Sequence, residues 1–258
     1  MSTTITTHEI KAPKEEIHSS TLSVRSTSTS CTLTKSSASF HPSRILTVNA
    51  KGIGAFRLPL PSRQTEIFVY NPDGTEEYVS TRDKRYSGSA VLSDSKRGDV
   101  IRTENFFGPN REPIVHLLQG SGDVPQQVTV SGKWTSRTMR FAVPGGKLFE
   151  WEYAKEKRPD GQKVNLIILR AAEEGTKKGK GSKGPRIAQL VRGDDTRTPG
   201  TSRSTAGNGG ELQIDEAAVQ SVELDEAIIV ATCLMMLKKE IDRRRMVQFA
   251  VIAGAVGN

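Results

Sequence analysis

The segment from Ala227 to Leu237 constrains the fold more than any other part of the chain. Its sequence, AIIVATCLMML, contains no charged side chain, and Thr232 is its one polar residue. Asp225 and Glu226 precede it, where carboxylates favour the first turn of a helix. A helix that is apolar on every side is buried in a large core or in lipid. Eleven residues rise only about 16 Å, against roughly 30 Å for the bilayer core, so the segment is predicted to be a core helix.

The chain before this helix has the pattern of a sheet protein. From Arg44 to about Gln220 it alternates short apolar runs with turn signals such as Asn71-Pro72-Asp73-Gly74 and Ser95-Lys96-Arg97-Gly98. The runs number roughly ten to twelve, at the spacing typical of a barrel or sandwich. A many-stranded sheet and a helix without a polar face fit together if the sheet closes around the helix. We therefore predict an all-β fold with one C-terminal helix: a closed antiparallel β-barrel of about 12 strands around a central hydrophobic helix, residues 224–237.

The hairpin around Pro144-Gly145-Gly146 allows a register to be predicted. A three-residue loop pairs Phe141 with Phe149 and Met139 with Trp151, and it places Arg140 opposite Glu150 on the other face. A two-residue loop would set Phe141 against Glu150, which puts unlike residues on both faces. The three-residue loop therefore predicts one buried aromatic face and one solvent-exposed face with a salt bridge.

The two ends of the chain differ from the barrel region of residues 44–245. Residues 1–43 are rich in Ser and Thr and poor in apolar side chains, which predicts a disordered leader, with a phosphorylation-regulated arm as the functional alternative. Residues 246–258 form a second apolar run, too short to cross a bilayer alone. We expect a tail strand or short helix packed on the barrel exterior, and a membrane anchor made of residues 246–256 stays open as an alternative.

The late part of the chain resembles a known superfamily. Many antiparallel strands, a Gly-Gly before ELQIDEA, and the terminal LDEAIIVATCLMMLKKEIDRRR resemble the Tubby C-terminal-like superfamily, which includes Tubby domains, phospholipid scramblases and LURP-one-related proteins. The layout is most similar to fungal proteins that carry a domain of unknown function in that superfamily. The resemblance covers about residues 44–245, and it implies a twelve-stranded barrel around a hydrophobic C-terminal helix.

Charge points to an anionic partner. The chain has 37 basic and 29 acidic side chains, a net charge of +8 that favours anionic lipid or nucleic acid. Five cations crowd one stretch, and on a flexible loop they could gather at an acidic lipid surface. These candidate lipid- or anion-binding residues are Lys177, Lys178, Lys180, Lys183 and Arg186. Their loop, residues 171–185, and the long loop 192–210 both connect late strands, so we expect them to project from the same region of the sheet.

The sequence contains fragments that resemble nucleotide- and calcium-binding motifs, but the residues around them do not fit those sites. GKGSKG at 179–184 matches a dinucleotide-binding pattern, but Pro185 and a strand follow it where a helix is required. Calcium binding by scramblase relatives suggests testing residues 215–226 as a calcium loop, but Ala217, Val219 and Gln220 stand where ligands and a glycine are needed. No histidine or cysteine has ligand spacing. We therefore predict a non-enzymatic protein without metal or cofactor.

The sequence-based hypothesis for function is peripheral binding to anionic membrane phospholipids by a cytoplasmic, Tubby-like barrel protein. The absence of a signal-type apolar N-terminus and of a disulfide framework favours that compartment. Nucleic acid is disfavoured because the basic loop lacks interleaved aromatic residues. The alternative from another class is a protein-interaction scaffold, with partners unknown, regulated by phosphorylation of the leader.

Overall fold

The computed structural model describes residues 40–55, 63–85, 87–106, 112–119, 126–132, 136–158, 161–172 and 184–256. Residues 1–39 of the predicted leader lie outside this range, and its disorder stays a prediction. The described elements are β1 Arg44–Ile53, β2 Glu66–Tyr70, β3 Glu76–Thr81, β4 Ala90–Asp94, β5 Gly98–Glu104, β6 Ile114–Leu117, β7 Gln126–Ser131, β8 Thr138–Ala142, β9 Leu148–Lys157, β10 Lys163–Ala172, β11 Arg186–Arg192, β12 Ala206–Ile214, α1 Glu216–Ser221 and α2 Glu226–Val256.

The twelve strands form one closed antiparallel barrel, which confirms the predicted fold class. Each strand pairs with its neighbours in the sequence, and β1 pairs with β12 to close the sheet. Arg44 stands opposite Ile214 at one end of this seam, and Ile53 stands opposite Ala206 at the other. Closure leaves none of the twelve described strands at an open edge, so each has a hydrogen-bonded neighbour on both sides.

The first third of α2 fills the barrel, as predicted. Leu224 and every side chain from Ala227 to Leu237 are at most 9% exposed, and all of them except Thr232 belong to the same apolar cluster as inward residues of the strands. The polar Thr232 is accommodated because its hydroxyl accepts the indole N–H of Trp151 at 2.9 Å and donates to the carbonyl oxygen of Ile228 at 2.7 Å. A buried hydroxyl with both roles satisfied does not destabilise the core.

Beyond Leu237 the helix continues, and here the structure differs from the sequence-based expectation. A separate tail strand or short exterior helix was predicted for residues 246–258, but α2 is one helix of 31 residues that runs to Val256. The charged segment KKEIDRRR does not break it, because Lys, Glu and Arg are good helix formers. An ion pair of 2.6 Å between Lys238 and Asp242, one turn apart, adds local support.

A short helix that the sequence analysis missed connects β12 to α2. Asp215 caps α1 by accepting the backbone N–H of Ala218 at 3.0 Å, and its other oxygen accepts the N–H of His41 at 2.9 Å. Residues 215–226 are thus a capped helical turn and a link into the core. An aspartate followed by EAAV is the signal that could have predicted this helix.

The predicted register of the hairpin β8–β9 is confirmed, but its wet face is not. Phe141 pairs with Phe149, with ring centroids 5.3 Å apart, and Met139 pairs with Trp151. Arg140 bonds Glu150 at 2.6 Å, yet Glu150 is only 1% exposed. The expectation of a solvent-exposed face is therefore wrong at Glu150, although Arg140 and Glu152 on the same face stay partly exposed. Glu150 has a strand on each side, since β10 pairs with β9 and places Arg170 opposite it.

The barrel has two distinct ends, which we call the near end, where α2 begins, and the far end, where α2 leaves. In an antiparallel meander, successive connections alternate between the two ends. The β10–β11 connection therefore joins strand termini at the near end, and the β11–β12 connection lies at the far end with the seam pair Ile53–Ala206. The expectation that the long loops 171–185 and 192–210 project from the same region is wrong for this reason.

Candidate functional site

The predicted lipid-binding residues divide between described and undescribed parts of the chain. Lys177, Lys178, Lys180 and Lys183 lie outside the described residues, so their role stays a prediction. Arg186 begins β11 and is only 6% exposed. Its guanidinium bonds Glu156 at 2.8 Å and lies 5.5 Å from the ring centroid of Phe40. Arg186 is thus a paired member of the barrel wall, and it does not offer an exposed cation.

Charge is unevenly distributed between the two ends of the barrel. Among described residues, the near-end connections carry three basic and five acidic side chains. The far-end connections carry eight basic and four acidic side chains, and residues 238–245 of α2, at the same end, add five basic and two acidic ones. The basic far-end residues of the connections are Arg63, Arg82, Lys84, Arg85, Arg137, Arg158, Arg197 and Arg203. The described part of the far end is therefore strongly positive, whereas that of the near end is slightly negative.

The part of α2 outside the core has two zones. We call residues 238–245 the collar, since every side chain in it is partly buried at the mouth of the barrel. Lys239 donates to the carbonyl oxygen of Thr138 at 2.7 Å and Arg244 to that of Ser204 at 3.0 Å, which ties the collar to the strands and loops around it. We call residues 246–256 the helix extension. It contains no charged residue, and Gln248 donates to the carbonyl oxygen of Ala55 at 3.1 Å.

The helix extension exposes an unusual amount of apolar surface. Val247, Phe249, Val251 and Ile252 are 61%, 47%, 67% and 42% exposed. Of the six large hydrophobic residues exposed in the described part of the chain, these four lie within six consecutive positions. Isolated exposed apolar residues are ordinary, but a contiguous group marks an interaction surface.

A basic pocket opens beside the collar. It has a volume of about 280 Å³ and lies between α2 and strands β9, β10 and β11. The side chain of Tyr153 forms one wall, and two guanidinium carbons lie near its ring centroid, that of Arg243 at 5.3 Å and that of Arg192 at 5.9 Å. The remaining lining residues are Arg137, Ala154, Lys155, Asn165 and Glu240. We call this the mouth pocket.

Its electrostatics are dominated by positive charge. Glu240 is the one carboxylate in the lining, and it is already engaged by Arg192 at 2.7 Å and by the backbone N–H of Gly207 at 3.1 Å. Burial, with the nearby charge of Glu240 as the next contribution, raises the pKa of Tyr153 well above its usual value, so its hydroxyl stays neutral. That hydroxyl donates to the carbonyl oxygen of Met236 at 3.3 Å. The charges of Arg243, Arg137 and Lys155 have no carboxylate partner among the described residues.

Lys239, in the collar, provides a pH-dependent prediction. Burial, reinforced by the charge of Arg243, lowers the pKa of Lys239 to about 8 from the ordinary value of 10.5. Between these two values the unfolded chain binds the proton that the folded protein has lost, so this residue makes stability rise with pH across that window. We therefore expect the wild type to become more stable relative to Lys239→Met as the pH rises from about 8 to 10.5. After allowance for solvent screening, the difference in their free energies of unfolding should change by about 1 kcal/mol.

Urea unfolding at a series of pH values measures this difference. Lys163→Met, at an exposed position where β10 begins, is the control, and its difference from the wild type should not change in the same window. A wild type that loses stability relative to Lys239→Met as pH rises would contradict the assignment.

The role proposed for the far end is not apparent from the sequence alone, for two reasons. In the sequence, Glu240 and Asp242 partly neutralise the collar, but these carboxylates pair with Arg192 and Lys238 and leave Arg243 and Arg244 without an acidic partner among the described residues. The extension was expected to pack against the barrel. A signal was available, since no Gly or Pro interrupts the chain between Glu226 and Ala253.

In the part of the chain that the structure describes, no helix is long and apolar enough to cross a membrane. No protein-family model, no curated protein and no solved structure matches this chain.

Proposed function

We propose that this protein binds anionic phospholipid membranes peripherally, with the far end of its barrel toward the bilayer. The observation that carries the proposal is the order of three segments along α2. A buried core segment comes first, the basic collar follows, and the uncharged helix extension with its exposed apolar side chains comes last. Apolar side chains next to basic ones are the combination that binds the interface of an acidic membrane.

The dimensions of the extension suit insertion into one leaflet. Its 11 residues from Met246 to Val256 rise about 16 Å, which is near half of the roughly 30 Å hydrocarbon layer. The segment is apolar around its circumference except at Gln248, so it gains from entering lipid end-on rather than from lying flat. The charges of the collar would stop further insertion, because burying them in hydrocarbon is costly.

Electrostatics favour the same orientation. A Lys or Arg close to an acidic leaflet contributes about 1 kcal/mol, and this contribution falls off within a Debye length. Cations at the far end can act together, whereas the acidic side chains of the near end would be repelled. Attraction and repulsion therefore both turn the far end toward the membrane.

This orientation separates the proposal from the lysine cluster at 177–183. The strand termini that flank this cluster, Ala172 and Arg186, are at the near end. A flat bilayer cannot contact both ends of the barrel at once, so the two surfaces are competing candidates for the contact. We place the contact at the far end because exposed apolar side chains accompany the charge there.

We also propose a relationship to the Tubby-like superfamily. The closed twelve-stranded barrel around a C-terminal helix supports it at the level of layout. The alternative function, a protein-interaction scaffold regulated through the leader, has no comparable support from the described residues. It becomes the better explanation if the membrane experiments below fail.

Co-sedimentation with vesicles tests the proposal. We expect the protein to sediment with vesicles of phosphatidylcholine mixed with phosphatidylserine, to sediment much less with phosphatidylcholine alone, and to be released by salt. Phe249→Asp should weaken binding about tenfold or more, because it would place a carboxylate in the hydrocarbon layer. The control is Leu118→Asp at the near end, since Leu118 is 45% exposed and Phe249 47%.

Three outcomes would count against membrane binding by the far end. Equal recovery with neutral and acidic vesicles at low salt removes the anionic specificity. Equal loss in Phe249→Asp and Leu118→Asp shows that the extension is not the contact. If Lys177, Lys178, Lys180 and Lys183 are changed together to Gln and binding is lost while Phe249→Asp still binds, the near-end loop is the contact and our orientation is wrong.

A further inference from the structure

The last inward-facing layer of the barrel at the far end is polar, unlike the layers beneath it. Lys155, Asn165 and Arg192 stand side by side on β9, β10 and β11. Two residues further into the barrel, the same three strands place Tyr153, Ile167 and Leu190, which belong to or pack against the apolar core. The polar layer and the collar together form the mouth pocket, which opens to solvent at the rim of the barrel, where Lys155 is exposed.

The mouth pocket contains more positive charge than the protein uses. One of its cations has a structural role: Arg192 bonds Glu240 of α2 at 2.7 Å and Asn208 at 3.2 Å, and so helps to hold the helix in place. No such role explains Arg137, Lys155 and Arg243. The one carboxylate in the pocket lining, Glu240, is already bonded by Arg192. The Nε atoms of Arg192 and Arg243 are also buried without a hydrogen-bond partner among the described residues. The Nε atoms of Arg186 and Arg245 share this feature elsewhere, so it supports the pocket only together with the unpaired charge.

The unpaired charge is best matched by a phosphate group. A phosphomonoester carries a charge of roughly −1.5 to −2 at neutral pH and three strong acceptor oxygens. Guanidinium groups bind such oxygens with charge-assisted hydrogen bonds. The pocket volume of about 280 Å³ is close to the lower bound of roughly 300 Å³ for small-molecule sites, which suits a single phosphorylated group.

We propose that the mouth pocket, formed by Tyr153, Arg192, Arg243, Arg137 and Lys155, binds a phosphate group, carried by a lipid headgroup or present as free phosphate. Arg243 and Arg192 donate to the phosphate oxygens, and Arg137 and Lys155 add charge at the rim. The ring of Tyr153 lies beside both guanidinium groups. The lipid source rests on the proposed membrane binding, whereas the site for phosphate itself does not.

The height of the pocket along α2 fits a headgroup. Arg243 precedes the helix extension by three residues, which is about 4.5 Å along the axis. The polar layer on each side of the hydrocarbon core is roughly 5–7 Å thick. With the extension inserted up to Met246, Arg243 lies at the level where headgroup phosphates lie. The same helix thus places apolar residues in the hydrocarbon and an arginine among the phosphates.

Arg243→Gln, with Arg244→Gln as its matched control, tests the proposal in the full-length protein. Both variants remove one positive charge from adjacent collar positions, but only Arg243 lines the mouth pocket, since Arg244 bonds Ser204 instead. Thermal unfolding is followed with added inorganic phosphate and with sodium chloride at equal ionic strength. Vesicle binding is compared between phosphatidic acid, a phosphomonoester, and phosphatidylserine.

We expect phosphate to raise the melting temperature of the wild type and of Arg244→Gln more than chloride does, and to have little specific effect on Arg243→Gln. If the source is a lipid, Arg243→Gln should also lose the preference for phosphatidic acid by about tenfold and should match Arg244→Gln on phosphatidylserine. A phosphate effect without any vesicle binding supports the site with free phosphate as its source, and membrane binding is then wrong. Acidic-vesicle binding with no phosphate effect and no difference between the two variants overturns the pocket and leaves membrane binding standing.

Discussion

A chain that ends at Val222 is expected to lose cooperative unfolding. This truncation removes Leu224 and the buried segment from Ala227 to Leu237, which fill the barrel. Deleting a single buried Leu, Ile or Met side chain typically costs about 2–5 kcal/mol, and whole domains are stable by only about 5–15 kcal/mol. The loss of this many core side chains therefore exceeds the available stability. Calorimetry should show no cooperative transition, and a hydrophobic dye should bind the exposed inner face.

The control is a chain that ends at Arg245. It lacks the helix extension but retains the core segment and the collar. The one bond between the extension and the barrel that the structure describes is that from Gln248 to Ala55, so the free energy of unfolding should fall by only about 1 kcal/mol. Vesicle binding should fall strongly in this control. A cooperative transition in the chain that ends at Val222 would show that the sheet does not need the helix.

Gly207→Ala is expected to destabilise the fold by roughly 2–4 kcal/mol, the largest effect of any single substitution that we predict. Gly207 has a φ of +71°, and its backbone faces α2 where the helix leaves the core. A Cβ atom there would lie 2.7 Å from the carbonyl oxygen of Leu237 and would overlap the side chain of Ile241. Because helix backbone cannot yield easily, β12 and α2 would have to separate.

Gly200→Ala is the matched control for this substitution. Gly200 has a φ of +77°, but nothing lies within 4 Å of the position that a Cβ would take. Only the strain of the left-handed backbone remains, at about 1–2 kcal/mol. Urea unfolding of both variants separates backbone strain from the close approach. Equal losses would mean that the contact between Gly207 and α2 contributes nothing.

The parts of the fold that local pattern determines could be predicted from the sequence. The uncharged run from Ala227 to Leu237 has no polar side and is too short for a bilayer, which leaves burial inside a sheet. The register of Phe141 with Phe149 follows because a slip by one residue exchanges the two faces of both strands. The burial of Glu150 could not be predicted this way, because it depends on the packing of a third strand, β10, beside the hairpin.

The candidate site could not be predicted, because its residues meet only through the three-dimensional arrangement. Tyr153, Arg192 and Arg243 are far apart in the sequence and come together through the registers of β9, β10 and β11 and the rotation of α2. The lysines at 177–183, in contrast, lie close together in the sequence, so their cluster can be recognised without a structure. The position of the two long loops was predictable, since alternation of strand direction alone places them at opposite ends.

The continuity of α2 has a mechanical consequence. No glycine or proline interrupts it between Glu226 and Ala253, so it contains no natural hinge between the core and the extension. In the proposed membrane-bound state the barrel is held by this rigid rod, so it stands at a fixed tilt and cannot swivel as it would on a flexible tether. A pulling force on the inserted tip is transmitted along the rod to the segment that fills the barrel. Extraction from the bilayer and unfolding of the core are then loads on the same element, and the anchor can resist only as much force as the packing around Ala227–Leu237 resists.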